Sequence, residues 1–500
     1  MKGLALDTHE LPVSTRPSQR SSNFRRALVA LLAIGLLGTL SQSCDGLRAC
    51  GIETLVDVAK EIRWALTPLL ADPHERALQL MSRSPVVDGH IDLPILARWY
   101  FANDVNDKKL DLRKPTKGHV DIPRLRKGRV GGFFWSVFVP CPEDEGWPSD
   151  ADTNFTSPSF RVRDTIEQID TARLLIDRYP EFELASTAKE WKRAIKRGKI
   201  GGMLGIEGGH QLGASLSTIR AYYDLGVRYI TLTHSCHSPL ADSCGLQEKP
   251  TTPRWNGLSS FGKTAIKEMN RLGMIVDVSH THPKSASDAL SLSRAPVIFS
   301  HSNARGVHGV VRNVPDAILR RIGNLDPKRH GSFNLSEDGE QGHGWGADNG
   351  EVDKEIPGGD TVIMLNFAPG FVSEWGDGKG LRANVSLMAD HADYIGRLAG
   401  RQYVGIGSDF DGIEDVPEGL EDVSMYPNLI AELIKRGWTD KEIYGLTNGN
   451  ILRVLQKVED VSRKLQRVKP HTNVFELRKD LVKHEKPPFL ASHDEEKEEL

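Results

Sequence analysis

Eight short apolar runs recur along the chain, and longer amphipathic stretches separate most of them. Each run is rich in apolar or β-branched residues and many are entered through Gly or Pro, which is typical of buried parallel strands. The runs are PVVDGHID (85–92), GGFFWSVFVP (131–140), GGMLGIEGGH (201–210), VRYITLTH (227–234), GMIVDVSH (273–280), APVIFSH (295–301), TVIMLNF (361–367) and QYVGIGSDF (402–410).

The stretches between the runs have helical periodicity, most clearly in 161–179 and 258–272, where apolar residues recur at spacings of three and four. Strands that alternate with helices predict a parallel sheet with right-handed crossovers. Eight repeats predict that this sheet closes, so the fold class is α/β, a (β/α)8 TIM-like barrel in a single large domain over 72–480. An open doubly wound sheet is the alternative.

Six of the eight runs end in or near a residue that can ionise or bind a metal. Because the C-terminal ends of barrel strands surround one axis, these residues are expected to meet at one site. A single strand-end histidine or His-x-Asp pair is more often structural, so the hypothesis depends on the whole set. The set comprises His90, Asp92, Glu207, His234, His280, His301 and Asp409.

The chemistry of this set favours a divalent metal. His90 and Asp92 are two residues apart on a strand, so their side chains share a face and can hold one ion together. Glu207 is the candidate to bridge two cations, one on each carboxylate oxygen. Imidazole and carboxylate ligands suit zinc, with manganese or cobalt as substitutes. A nicotinamide site is not indicated, since GIGSDF (405–410) lacks the third glycine of a dinucleotide loop.

Six separated blocks resemble, in the same order, the signature blocks of the membrane (renal-type) dipeptidase family, a zinc-dependent family. They are DGHID, GIEGGH, LTHSC, DVSH, FSHSNARGVHGVVRNVPD and GSDFDG, and PRLRKGRVGGFFWSV (123–137) is similar too. The resemblance extends from about Pro85 to Val454. It implies a metallo-dipeptidase with a binuclear zinc site on a barrel, two zinc ions per subunit.

The resemblance also implies a role for each residue of the site. His90 and Asp92 would bind one zinc ion, His280 and His301 would bind the other, and Glu207 would bridge the two. For the substrate, His234 would contact the reacting carbonyl, Arg312 would pair with the free C-terminal carboxylate, and Asp409 would be the catalytic acid–base residue. A metal-bridging hydroxide would attack the peptide bond of the dipeptide.

Two other functions stay open on the same scaffold. A related amide, such as a β-lactam or a D-configured dipeptide, could be the substrate, and the ligand residues do not separate these cases. A catalytically retired surface binding or adhesion protein is the second alternative. All five candidate metal ligands are present, which favours the enzyme.

The family resemblance implies a disulfide between Cys141 and Cys236. A second family disulfide is not expected, because His308 stands at its first position. Cys244 is then unpaired, and Cys44 and Cys50 are candidates for linking two chains into a homodimer. A polar, Gly-rich segment, 323–360, is predicted to be a surface insertion.

The N-terminus predicts an extracytoplasmic domain. Arg25 and Arg26 precede the uncharged segment ALVALLAIGLLGTL, which is short for a membrane span and usual for a signal peptide. We divide the N-terminus into a basic cytoplasmic leader (1–26), a signal-anchor or signal peptide (27–43) and a linker (44–71). An anchor makes a single-pass membrane protein, and cleavage makes a secreted one; a buried core helix is the third alternative.

Three N-glycosylation sequons, at Asn154, Asn334 and Asn384, agree with this location. The charged tail, 481–500, lacks the apolar stretch of a lipid-anchor signal. The formal net charge is -3 and the body of the chain has no basic patch, so a nucleic-acid partner is not expected.

Overall fold

The computed structural model describes residues 72–141, 160–246, 251–323, 360–374 and 382–478. The chain divides into two units, Met1–Arg76 and Ala77–Leu500, and only residues 72–76 of the first are described. The predicted leader, apolar segment, linker, tail and nearly all of the 323–360 insertion lie outside the described residues. Within the described ranges, no helix is long and apolar enough to cross a membrane.

Eight parallel strands close into a barrel, which confirms the predicted TIM-like fold and excludes the open sheet. Closure follows from two pairings, β1 with β9 and β2 with β4. The strands of the second unit, including the additional strand β3, are β1 Val86–Ile91, β2 Val130–Val137, β3 Phe182–Leu184, β4 Ile200–Glu207, β5 Val227–Thr231, β6 Ile275–Asp277, β7 Val297–Phe299, β8 Val362–Leu365 and β9 Val404–Ile406.

Strand β3 was not predicted from the sequence. It shares one edge of β4 with β5, because Ile200–Gly202 of β4 pair with β3 and Leu204–Glu207 pair with β5. Three residues are too few to give an alternating pattern. Its Phe182 packs edge-on against the buried Trp135 ring, with ring centroids 5.2 Å apart. Tertiary contact therefore determines this strand.

Helices cover the outside of the barrel, as the alternating pattern predicts. The two clearest sequence predictions, 161–179 and 258–272, are confirmed as α4 and α7. The helices are α1 Pro73–Arg83, α2 Leu93–Phe101, α3 Ile122–Lys127, α4 Arg161–Arg178, α5 Ala188–Lys196, α6 Leu216–Asp224, α7 Ser260–Leu272, α8 Pro283–Leu292, α9 Asp316–Ile322, α10 Pro369–Val372, α11 Val385–Ile395, α12 Tyr426–Lys435, α13 Asp440–Tyr444 and α14 Asn450–Leu465.

Glycines in β4 make room for large rings inside the barrel. A Cβ atom at Gly205 would lie 2.1 Å from the Tyr229 ring, and one at Gly201 would lie 2.5 Å from the Trp191 ring. Larger residues at these positions would displace rings that are fully buried. The space left by Gly205 lets the Tyr229 hydroxyl reach the upper end of the barrel, 2.9 Å from Nδ1 of His90.

His391 on α11 is a buried histidine that helps to hold the barrel wall. Its Nδ1 accepts a hydrogen bond from the Ala304 N–H (3.1 Å) and its Nε2 donates to the Val372 carbonyl (3.0 Å). The bond at Nδ1 requires a neutral ring, because a protonated Nδ1 cannot accept. Burial lowers the pKa of His391 to about 4, from an ordinary value of 6.5. The folded protein therefore resists protonation of this side chain.

The pKa of His391 predicts a loss of stability in acid. Between pH 6.5 and about 4 the unfolded chain binds the proton and the folded chain does not. The free energy of unfolding should fall by about 1.4 kcal/mol per pH unit through this window, and the contribution is complete above pH 6.5. In His391→Gln this contribution is absent, so urea unfolding of metal-free protein should show a shallower pH dependence. Equal slopes for the two proteins would contradict the assignment.

Candidate active site

The predicted site residues lie together around a cavity of ≈ 630 Å³ at the C-terminal ends of the strands. His90 and Glu207 lie within strands β1 and β4, and Arg312 lies in the segment between β7 and α9. The other residues follow their strands by one to three positions; they are Asp92, His234, His280, His301 and Asp409. The first residues of the loops after the strands thus place these side chains over the barrel axis. The cavity is lined by Asp92, Ile95, Trp99, Phe138, Glu207, His234, Leu246, His280, Arg312, Ala368, Phe371, Asp409, Gly412 and Ile413.

Glu207 occupies the centre of the site. Its Oε1 atom lies 3.2 Å from Nε2 of His280, 3.4 Å from Nε2 of both His90 and His301, and 3.8 Å from Nε2 of His234. Four imidazole nitrogens from four strand ends thus surround one carboxylate oxygen. The arrangement brings together residues that the sequence separates widely.

Two further carboxylates flank His90. Its Nε2 lies 3.2 Å from Oδ2 of Asp92 and 3.9 Å from Oδ1 of Asp409. At this centre, three groups of described residues have ligand atoms within 4.8 Å of one another: His90, Glu207 and His301; Glu207, His234 and His280; and His90, Asp92 and Asp409. Because His90 and Glu207 each belong to two groups, the donors form one continuous centre.

Unsatisfied buried atoms show that the residues fit a metal. Among the described residues, Nε2 of His90, Oδ1 of Asp92 and Nδ1 of His280 have no hydrogen-bond partner. The Nε2 atoms of His280 and His301 lie 2.9 Å apart. Buried polar atoms are normally paired, and a set of nitrogen and carboxylate donors suits a divalent transition metal. A cation beside Nε2 of His90 and Oδ1 of Asp92 would satisfy these two atoms.

The electrostatics of the site agree with this fit. Burial holds the pKa values of His234, His280 and His301 well below the ordinary range, so these rings are neutral, as metal ligands must be. Burial also lowers the pKa of His90, but Tyr229, Asp92 and Glu207 outweigh it and hold that pKa well above the usual value. The field that attracts a proton to His90 also attracts a metal cation.

Two site residues have a left-handed backbone. His280 has φ 63° and Asp409 has φ 67°. Such conformations cost energy in residues other than glycine, and strained residues of this kind cluster at active sites. Next to them, Gly412 approaches so closely that a Cβ atom there would lie 2.4 Å from Oδ2 of Asp92. Backbone strain and a glycine therefore aim these side chains at the centre.

A second layer of polar groups orients the site, and the sequence analysis missed it. Tyr229 contacts His90 as described above, and Oγ of Ser300 lies 2.8 Å from Nδ1 of His301. The Asn366 side chain donates to Oδ2 of Asp409 at 2.9 Å. Asn366 and Ser300 also lie at strand ends, so the same strand-end pattern could have identified them from the sequence. Tyr229 lies inside β5 and has no such signal.

Arg312 lies at the wall of the cavity and is only 5 % exposed. Its Nη2 donates to the His301 carbonyl at 3.4 Å, and its guanidinium lies 5.1 Å from the centre of the Phe371 ring. Within the described ranges, Nε and Nη1 have no hydrogen-bond partner. A buried guanidinium with unused donors is suited to bind an anionic group.

Cys141 and Cys236 are joined by a disulfide beside the site. Sγ of Cys141 lies 3.9 Å from Nδ1 of His234, whose ring also packs on Phe138. The bond therefore ties the segment after β2 to the loop that carries His234. Cys244 is buried and unpaired, whereas Cys44 and Cys50 lie outside the described residues.

Of the three sequons, only Asn384 lies within the described residues. It is the N-cap of α11, and its side chain accepts hydrogen bonds from the backbone of Ser386 and Leu387. Asn154 and Asn334 lie outside the described residues. Glycosylation stays a prediction.

The position of Glu207 predicts the effect of removing its charge. Glu207→Gln keeps the size of the side chain but loses a negative charge and a metal-binding oxygen. We expect its metal affinity to fall by more than about 100-fold. This is a larger effect than is typical for substitution of a residue that only hydrogen-bonds to a metal ligand. Metal content after dialysis, measured by mass spectrometry, checks this. Glu167→Gln, at a half-exposed position on α4, is the control, and equal metal content in the two variants would contradict the assignment.

The sequence matches the family model described as membrane dipeptidase (peptidase family M19) over residues 74–326 and 351–469, more than half of the chain. Similar solved structures include the probable dipeptidase PvdM from Pseudomonas aeruginosa, with 21% identity, TM-score 0.63, and coverage of 78% of this chain and 99% of that one.

Two further solved structures are 25% identical to this chain. One is the dipeptidase AC, a metallopeptidase, with TM-score 0.58 and coverage of 75% of this chain and 98% of that one. The other is a metallopeptidase from Rhodobacter sphaeroides liganded with a phosphinate mimic of L-Ala-D-Ala, with TM-score 0.57 and coverage of 75% and 99%. The present chain therefore belongs to the membrane dipeptidase family, peptidase family M19, and is a metallo-dipeptidase.

Proposed function

We propose that this protein hydrolyses the peptide bond of dipeptides that have a free C-terminal carboxylate, at a centre of two zinc ions. The observation that carries the proposal is the position of Glu207 Oε1, within 3.8 Å of four imidazole Nε2 atoms at the cavity. A carboxylate so surrounded is suited to bridge two cations, with its neighbours as the remaining ligands.

In this proposal His90 and Asp92 would hold one ion, His280 and His301 would hold the other, and Glu207 would be shared by both. The 3.2 Å contact between His90 and Asp92 and the 2.9 Å contact between His280 and His301 support the two pairs. When bound, such a pair of ions polarises the substrate carbonyl and lowers the pKa of water.

Asp409 is the proposed acid–base residue. Asn366 holds its Oδ2 atom, whereas Oδ1 faces the centre, 3.9 Å from Nε2 of His90. Burial raises the pKa of Asp409, which makes the carboxyl group a better proton acceptor than an exposed aspartate. It would take a proton from the attacking water and deliver it to the departing amine.

His234 is the proposed donor to the tetrahedral oxyanion. Burial keeps its ring neutral, and Nδ1 contacts Oγ of Ser235 at 3.0 Å. If Nδ1 accepts the proton of that hydroxyl, Nε2 carries the hydrogen and faces the centre. A donor of this kind typically contributes about 3 kcal/mol to transition-state stabilisation.

Arg312 is proposed to bind the C-terminal carboxylate of the substrate. Nε and Nη1 are unused, and Nη2 keeps a second hydrogen beside its bond to the His301 carbonyl, so a guanidinium edge that includes Nη2 is suited to a two-point contact with a carboxylate. A fixed anion site at one side of the cavity restricts substrates to short peptides. The dipeptide mimic in the Rhodobacter sphaeroides relative supports this substrate class.

A panel of L,L- and L,D-dipeptides and one β-lactam tests the proposed reaction. We expect the wild type to hydrolyse dipeptides, to lose this activity after chelation and to regain it with zinc. The reason is that the bound ions polarise the substrate carbonyl and lower the pKa of water in the proposed reaction. Product amines are measured by mass spectrometry. Turnover of the β-lactam alone would favour the related amide hydrolase, and a metal-loaded protein without turnover would favour the retired binding protein.

The role of Arg312 predicts a specific loss of carboxylate recognition. The wild type should prefer a dipeptide to the same dipeptide with a C-terminal amide by roughly 100-fold in kcat/KM, as expected for a buried charge-assisted pair of about 3 kcal/mol. In Arg312→Ala this preference should vanish, mainly through KM. Arg312→Lys, which keeps the charge but loses the two-point geometry, should be intermediate. An unchanged preference in Arg312→Ala would remove this residue from substrate binding.

We also propose that the enzyme acts outside the cytoplasm, attached through residues 27–43 or secreted after their cleavage. The disulfide between Cys141 and Cys236 supports an oxidising compartment. Chain association through Cys44 and Cys50 is likewise a proposal.

A further inference from the structure

We propose that Asp277 is a positioning residue which acts through Ser300 to orient His301 and to strengthen it as a metal ligand. Asp277 is the last residue of β6 and is fully buried. The inference rests on the proposed metal centre, because it concerns the groups that contact Nδ1 of His301, the ring nitrogen that does not face the centre. Neither Asp277 nor Ser300 belongs to the set of residues identified from the sequence.

The Asp277 carboxylate accepts four hydrogen bonds, all from neutral groups. Oδ2 accepts from the hydroxyls of Thr231 (2.5 Å) and Ser300 (2.6 Å), and Oδ1 accepts from the backbone N–H groups of Ser279 (3.1 Å) and Ser300 (2.9 Å). Because all four partners donate, the Asp277 carboxylate acts as an acceptor beneath the site.

Ser300 connects this carboxylate to the site. Because its hydroxyl proton goes to Asp277, its oxygen accepts the proton of His301 Nδ1 at 2.8 Å. This fixes the tautomer of His301 and leaves Nε2 bare, 3.4 Å from Oε1 of Glu207. A carboxylate behind an imidazole also raises the basicity of the ligand nitrogen. The chain Asp277–Ser300–His301 thus prepares Nε2 for a cation.

The other imidazoles of the site have weaker groups behind them. In the described parts of the chain, a hydroxyl contacts Nδ1 of His90 (Tyr229) and of His234 (Ser235), and Nδ1 of His280 has no partner. Of these four imidazoles, His301 is the one whose Nδ1 partner is itself hydrogen-bonded to a buried carboxylate. The orientation of His301, and the ion that it helps to hold, should therefore depend most on the hydroxyl of Ser300.

Asp277 also joins the ends of β5, β6 and β7, so a purely structural role is the competing explanation. Two substitutions separate the two roles. Thr231→Val and Ser300→Ala each remove one hydroxyl donor to the same oxygen, Oδ2 of Asp277. Of these two residues, only Ser300 contacts His301. A structural role of Asp277 therefore predicts that the two substitutions change metal affinity equally, and a positioning role predicts that they change it unequally.

The test measures cobalt binding to metal-stripped protein, by calorimetry and by the visible absorption of the bound ion. Ser300→Ala should weaken the binding of one of two ions by about 10–100-fold and shift its spectrum. Thr231→Val should keep affinity within about twofold and leave the spectrum unchanged, although both variants should lower the melting temperature of metal-free protein. Ser300→Thr, which keeps the hydroxyl, should restore affinity. Asp277→Asn supplies the same comparison if Ser300→Ala does not fold.

Three outcomes would overturn the inference. Ser300→Ala or Asp277→Asn with wild-type affinity and spectrum would remove the link to His301. Equal losses of affinity in Thr231→Val and Ser300→Ala would leave only the structural role. A wild-type protein that binds no divalent ion would overturn the proposed function together with this inference, and this failure is recognised before any variant is measured.

Discussion

A buried carboxylate needs positive charge or hydrogen-bond donors nearby to offset its loss of hydration. For Glu207 this compensation depends on the groups that surround it. Its Oε1 faces four imidazole nitrogens, and the carboxylates of Asp92 and Asp409 lie close to the same centre. The free-energy cost of removing these charges from water exceeds the stabilisation that neutral neighbouring groups provide. A centre rich in negative charge, with bare nitrogens around it, is therefore arranged for cations, which agrees with the metal dependence of the family.

Barrel closure supplies the rigidity that this centre needs. The ligands come from strands on opposite sides of the barrel, and each strand is hydrogen-bonded to its neighbours. Orientation then depends on the layer beneath. The Tyr229 ring fits only because Gly205 leaves space for it, and its hydroxyl holds His90. The same layer holds Asp409 through Asn366, so packing in the core and ligand geometry are linked.

The parts of the site that could be predicted are those with a local pattern. Apolar runs of strand length and a polar residue at their C-terminal ends identified His90, Glu207, His234, His280, His301 and Asp409. Asp277 also ends a strand, but a single buried aspartate in DVSH is indistinguishable from an ordinary structural residue. Strand β3 was not predicted because three residues carry no periodicity, and because it pairs with the part of the β4 edge that β5 leaves unpaired.

By itself the sequence determined the eight-stranded barrel, the helices that cover it and the residue types at its mouth, because periodicity and strand ends are local properties. The family resemblance added roles for the matching positions. Only the tertiary structure decided that Glu207 lies at the centre, that Arg312 keeps unused donors at the cavity wall and that Asp277 stands behind His301. Those relations depend on distances between segments far apart in the chain, and such distances exist only after the barrel has closed.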